Sequence, residues 1–186
     1  MPVPQQTVAE ISAEMAKSSI PTVLIEGKTD ALIFRRIQNR LGLAGFTFFP
    51  CGSRSHLLAV YELFRPNSNS RIAFFADRDL WYFDGIPDAF ADVIFTHGYS
   101  IENDLYFDGK ERLEEMLDPQ ERPFLQSLFQ NVCNWFGFEI SLRTQGGAPE
   151  YAKHSILNPL VMPKQKSDFD PRFLSERGYS TPESQL

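Results

Sequence analysis

The chain has 186 residues, 42% of them hydrophobic and 23% charged, with 17 Phe as its one excess; such a chain fits a single domain able to bury roughly 70% of its unfolded surface without disulfides. A formal net charge of −6 argues against a general grip on nucleic-acid backbone, which rests on Lys and Arg at phosphates. No apolar run approaches the roughly 18–20 residues of a membrane span, and the opening MPVPQQTVAEISAEM lacks a secretory layout, so a cytoplasmic protein is expected.

In chain order, Val8, Ile11 and Met15 predict a leading helix over Val8 to Lys17, broken by Ser19 and Pro21. Thr22 to Glu26 is a short apolar, β-branched run and predicts a buried strand. Gly27 supplies the turn, Thr29 a candidate N-cap, and Ala31 to Leu41 a helix stopped by Gly42 and Gly45. Phe46 to Pro50 is the second strand candidate, followed by a helix over His56 to Phe64 and a loop at Pro66 to Ser70.

Arg71 to Ala76 is the clearest strand, and Val93 to Thr96 a fourth. Strands alternating with helices imply an α/β fold built on a mainly parallel sheet. Lys110 to Leu117 and Gln120 to Phe136 predict two further helices, with Gly146-Gly147 as a loop. The expected division is an α/β core with a leading helix over residues 1–108, a helical extension over 109–158 and an extended tail over 159–186. Cys51 and Cys133 have no CxxC spacing and suit reduced thiols rather than zinc ligands or a disulfide.

Five acids stand where predicted strands end: Glu26 and Asp30 in VLIEGKTD, Asp77 and Asp79 in AFFADRD, and Glu102 in YSIEND. In a parallel α/β sheet ligands bind outside the carboxyl ends of the strands, so these side chains are expected on one rim. Crowded carboxylates repel one another and resist desolvation unless a cation joins them. Oxygen-only ligands suit Mg²⁺ or Mn²⁺, one or two ions, which orient a phosphodiester and neutralise a leaving oxygen. Each element also has a plainer reading. Asp30 and Glu102 suit the first turn of any helix, and Asp77-Arg78-Asp79 suits a solvated loop with an internal ion pair. Glu26, after Val-Leu-Ile and before Gly, is the hardest to explain by structure alone.

Glu26-Gly27-x-x-Asp30 after one strand and Asp77-x-Asp79 after a later one resemble the TOPRIM fold of topoisomerases, primases and OLD-type nucleases. Gly98-Tyr-Ser-Ile-Glu-Asn103 narrows the resemblance to the DUF4435 group, whose TOPRIM-like core is close to the OLD nucleases. The resemblance covers Thr22 to Leu105. It implies a TOPRIM-like sheet, a metal-dependent nuclease acting on RNA or DNA, and an anti-phage effector held by an ABC-type ATPase partner. Glu26 would be metal ligand and general base, Asp77 and Asp79 metal ligands, Asp30 a supporting acid, and Glu102 the acid for a second metal. OLD-type enzymes also place a lysine near the scissile phosphate, with Lys153, Lys164 and Lys166 the candidates here.

Other residues carry two readings apiece. Cys51-Gly-Ser-Arg-Ser55 either cradles a phosphate, with Arg54 as clamp, or forms a tight turn with an N-cap serine. Lys28 and Arg78 are further substrate-binding candidates. Arg35, Arg36 and Arg40 form a nucleic-acid track or a solvated face. His97 is a candidate for proton transfer beside the rim. Trp81 and Tyr82 form a base-stacking lid or a hydrophobic anchor. Against the nuclease stands a catalytically silent subunit that docks on an ATPase, and homo-oligomer assembly is compatible with both.

Overall fold

A computed structural model describes residues 6–64 and 71–146. Six helices and four strands follow one another in an α/β order: α1 Val8–Lys17, β1 Thr22–Ile25, α2 Lys28–Arg40, β2 Thr47–Pro50, α3 Arg54–Phe64, β3 Ile72–Ala76, α4 Trp81–Asp84, β4 Ile94–Phe95, α5 Ile101–Met116 and α6 Glu121–Thr144. The strands form one sheet in the order β2-β1-β3-β4, and every neighbouring pair is parallel. The registers Leu24↔Phe49 and Leu24↔Phe74 place β1 at the centre.

Side-chain alternation along the strands decides which helix covers which face. Leu24, Phe74 and Ala76 point to one side and pack with Ile11 and Met15 of α1 and Leu57, Val60 and Tyr61 of α3. Phe48 and Phe75 point to the other side, where Phe34 of α2 stacks on Phe48 at 5.0 Å and meets Phe75 edge-on at 4.8 Å. Leu24, Ile25, Leu57 and Val60 are fully buried, each contributing about 1.5–3 kcal/mol of hydrophobic free energy. Phe34, Phe48, Phe74 and Phe75 pack on the two faces of the sheet, whereas Phe83, Phe107, Phe124 and Phe129 are exposed.

Local chemistry sets most boundaries. Thr7 caps α1 reciprocally with Glu10: the Glu10 N–H donates to Thr7 Oγ1 at 3.3 Å, and the Thr7 N–H to Glu10 Oε2 at 2.7 Å. Helix α2 starts at Lys28, three residues before the expected Ala31, with Gly27 rather than Thr29 at its N-cap. The reason is Asp30, whose Oδ2 accepts the Gly27 N–H at 2.8 Å and closes the first turn. Helix α5 begins at Ile101 instead of Lys110 and α6 runs to Thr144 instead of Phe136. The fourth strand shortens to Ile94–Phe95. The short helix α4 and the 3-10 turn at Asp88–Phe90 carry too few residues for any periodicity to show.

Contacts divide the chain into two units, Met1–Lys110 and Glu111–Leu186. The first holds the whole sheet, and the second contains the end of α5 and all of α6, where Trp135 and Glu139 are buried. No helix among the described residues is long and apolar enough to cross a membrane. The expected loop at Pro66 to Ser70, Gly147 and the tail over 159–186 lie outside the described residues.

Candidate functional site

The centre of the site is the end of two adjacent parallel strands. Glu26 follows β1 directly and Asp77 follows β3 directly, so the parallel pairing delivers both to the same edge. Glu26 Oε1 accepts the Asp77 backbone N–H at 2.9 Å. Asp77 Oδ1 in turn accepts the N–H of Ile101, the first residue of α5, at 2.9 Å. That second bond docks the start of α5 on the rim and carries Glu102, an exposed side chain in its first turn, with it.

The electrostatics follow from this crowding. Burial pushes the Glu26 carboxyl up to about 7; the charges of Asp77 and Asp79 add to the rise, while the Asp77 N–H and Arg54 oppose it. Burial likewise pushes Asp77 up to about 6. The Ile101 N–H opposes this rise, and the charges of Asp79, Glu102 and Asp30 reinforce it. All five predicted acids thus lie within electrostatic reach of Asp77 or Glu26. The buried Cys51 thiol is pushed up to about 12, first by burial and then by the Glu26 charge, so it stays protonated and unreactive.

Asp79 has its own support. Its backbone occupies the left-handed region, φ 47°, a conformation sparsely used outside glycine and held by surrounding contacts. Its N–H donates to the Tyr99 carbonyl at 2.8 Å. Its Oδ2 receives Arg54 Nη1 at 2.7 Å, and the same nitrogen reaches the Arg78 carbonyl at 3.1 Å. The Arg54 guanidinium carbon lies over Trp81, 4.1 Å from the ring centroid. Trp81 stacks on Phe90 at 5.4 Å and meets Phe95 at 5.7 Å. Among the two readings of Trp81, the hydrophobic anchor describes its contacts.

Apart from Arg54, the expected basic residues and His97 form no ion pair with these acids among the described residues. Lys28 is exposed at the start of α2, and Arg35, Arg36 and Arg40 are exposed on that helix. Arg78 contributes its backbone N–H to Thr96 Oγ1 at 3.0 Å, and its Nε is buried without a hydrogen-bond partner among the described residues. His97 is exposed, and its backbone N–H donates to Asp104. Lys153, Lys164 and Lys166 lie outside the described residues.

Two positioning residues escape the sequence reading. Asp104 accepts the N–H groups of His97 and Gly98 at 2.8 and 2.6 Å, fixing the turn between β4 and α5. A Cβ at Gly98 would stand 2.8 Å from Asp104 Oδ1, so the Asp104 carboxylate would have to shift. Thr96 is buried, and its hydroxyl accepts from Arg78 N–H and donates to the Gly98 carbonyl at 3.0 Å. The signal for Asp104 stands in IEND, an acid in the first turn of a helix after a short loop.

One oxygen each of Glu26, Asp77 and Asp79 is spoken for, and the partner oxygens Oε2, Oδ2 and Oδ1 have no hydrogen bond among the described residues. Backbone amides that orient one carboxylate oxygen and leave the other open are what an oxygen-ligating cation site needs. As the side chains stand, no three His, Cys, Asp or Glu groups among the described residues are closed into a ligand set. The donor chemistry nevertheless fits a hard divalent cation: all oxygen, anionic when charged, and with Arg54 as the one cation ion-paired to these acids among the described residues. At the amino ends of the strands, an open cleft lined by Thr22, Thr47 and Phe49 has no comparable set of converging groups. No known family profile matches the chain, and no curated protein matches it at a significant level.

Proposed function

We propose that the chain is a divalent-metal-dependent nuclease of TOPRIM type that hydrolyses a phosphodiester bond in RNA or DNA, a structured RNA such as tRNA being a reasonable target. The observation that carries this reading is the Glu26–Asp77 pair at the carboxyl rim of adjacent parallel strands, each with one oxygen oriented by a backbone amide. Glu26, Asp77 and Asp79 would hold Mg²⁺ or Mn²⁺, with Glu102 and Asp30 as flanking acids. When bound, the cation supplies Lewis acidity and neutralises charge on the phosphate and leaving oxygens. The N–H of Asp77 and the N–H of Ile101 keep Glu26 and Asp77 in place, and Thr96 and Asp104 fix the segments on either side. Glu26, the acid most enclosed by the strand ends, is placed to take a proton from the attacking water.

The biological role rests on resemblance. The motifs resemble those of AriB, the effector subunit of the PARIS anti-phage system, which implies an anti-phage effector with an ABC-type ATPase partner. The test is cleavage of RNA and DNA, and toxicity on expression, by the wild type and by Glu26→Ala and Asp77→Ala. Loss of both activities in both variants is expected, and full activity in both removes the proposal.

A second reading, a silent interaction subunit, is favoured by the ion pair between Arg54 and Asp79, which engages one presumptive ligand. Calorimetric titration separates the two readings. A silent site binds neither Mg²⁺ nor Mn²⁺ at millimolar concentration.

A further inference from the structure

Arg54 is a cation built into the acidic rim, and its surroundings differ from those of an ordinary surface arginine. Its side chain is 18% exposed, whereas that of its partner Asp79 is 40% exposed. A single nitrogen, Nη1, makes both of its hydrogen bonds, to Asp79 Oδ2 and to the Arg78 carbonyl. Nη2 is buried without a hydrogen-bond partner among the described residues. The guanidinium is supported instead by Trp81, 4.1 Å below it, with Phe95 at 6.0 Å.

We infer that Arg54 is a displaceable counter-cation, holding the Asp79 carboxylate in the metal-free protein and releasing it when a divalent cation joins the rim. The inference rests on the metal-centre reading above and adds a role for a residue that the loop Cys51 to Ser55 offers as a phosphate clamp. Arg54 can let go because its seat does not depend on Asp79. The bond to the Arg78 carbonyl holds it when the ion pair opens, while the guanidinium shifts over the Trp81 ring. Asp79 can be taken because its second oxygen is open and its side chain faces water. A divalent ion brings more charge to the same oxygens, so guanidinium and metal compete for Asp79.

Competition predicts a sign that a merely structural arginine does not. Calorimetric titration of Mg²⁺ into the full chain is expected to show tighter binding to Arg54→Gln than to wild type, by about fivefold or more, with Arg54→Lys close to wild type. Equal or weaker binding to Arg54→Gln overturns the inference, because Arg54 would then be ordering Asp79 as a ligand. If neither protein binds Mg²⁺ or Mn²⁺, the metal-centre reading itself falls, and this inference with it. Equal binding to both sinks the Arg54 role alone.

A second readout needs no change at Arg54. The chain has two Trp, Trp81 and Trp135, so the difference between wild type and Trp81→Phe isolates emission from the ring under the guanidinium. Mg²⁺ is expected to change that emission with the calorimetric midpoint. Calorimetric binding with a flat Trp81 signal contradicts the displacement.

Discussion

Two regions of this molecule set carboxylates against backbone amides, and they respond in opposite ways. At the start of α1, Glu10 accepts the Thr7 N–H in the open, and its carboxyl is lowered by the backbone and side-chain bonds to Thr7. At the rim of the sheet, Glu26 accepts the Asp77 N–H at nearly the same distance, yet its carboxyl is pushed up to about 7. The hydrogen bond lowers both. Burial and neighbouring charges overwhelm it in one place and are absent in the other. The contrast shows that Glu26 and Asp77 are more than caps, because they remain under an electrostatic load that Glu10 does not carry.

Removing the load should separate the regions most sharply. Glu26→Ala or Asp77→Ala is expected to lower Mg²⁺-dependent cleavage by about a hundredfold or more, while Thr7→Ala leaves cleavage unchanged; cleavage assays with matched folded protein check this. The turn that positions α5 should be next in effect. Asp104→Ala strands two amides and Gly98→Ala drives a Cβ against Asp104, each destabilising by about 1–3 kcal/mol in urea unfolding.

The pH response sharpens the comparison further. The folded-state values of Glu26 and Asp77, about 7 and about 6, lie above their ordinary 4.5 and 3.8. Between these values the native state holds protons that the unfolded chain has released. Stability of the metal-free protein should therefore be fully present below the ordinary values and fall as pH rises through the folded ones. After discounting for partial exposure, the two groups together amount to about 2 kcal/mol between about pH 4 and about pH 8. Glu10 contributes with the opposite sign, its support present above 4.5 and lost as pH falls. The smallest effect belongs to α1, where Thr7→Ala should lose about 1 kcal/mol of stability by thermal or urea unfolding.

The same contrast explains what could be read from the chain. Residues such as Leu24, Ile25 and Phe74 declare strands because an apolar run with β-branched members has few other uses, and Glu26 and Asp77 declare the rim because they interrupt those runs. Helix α1 was legible to both ends because the spacing of Val8, Ile11 and Met15 and the breakers Ser19 and Pro21 are all local signals. The start of α5 was not, because its cap is Asp77, 24 residues away in sequence. Arg54 read as a phosphate clamp for a similar reason: its partner Asp79 is 25 residues on, and only the fold brings them together. Patterns within a turn or two of helix are visible in sequence; bonds that close across the sheet are not.

The account turns on the rim being a place where positive charge is wanted. Thermal unfolding at about pH 8, with and without millimolar Mg²⁺, tests this on wild type and on Glu26→Gln. The metal should raise the wild-type midpoint and leave the variant nearly unmoved, with the metal-free variant starting higher than metal-free wild type. A wild-type midpoint indifferent to Mg²⁺ and Mn²⁺, or a variant that gains as much as wild type, would contradict it.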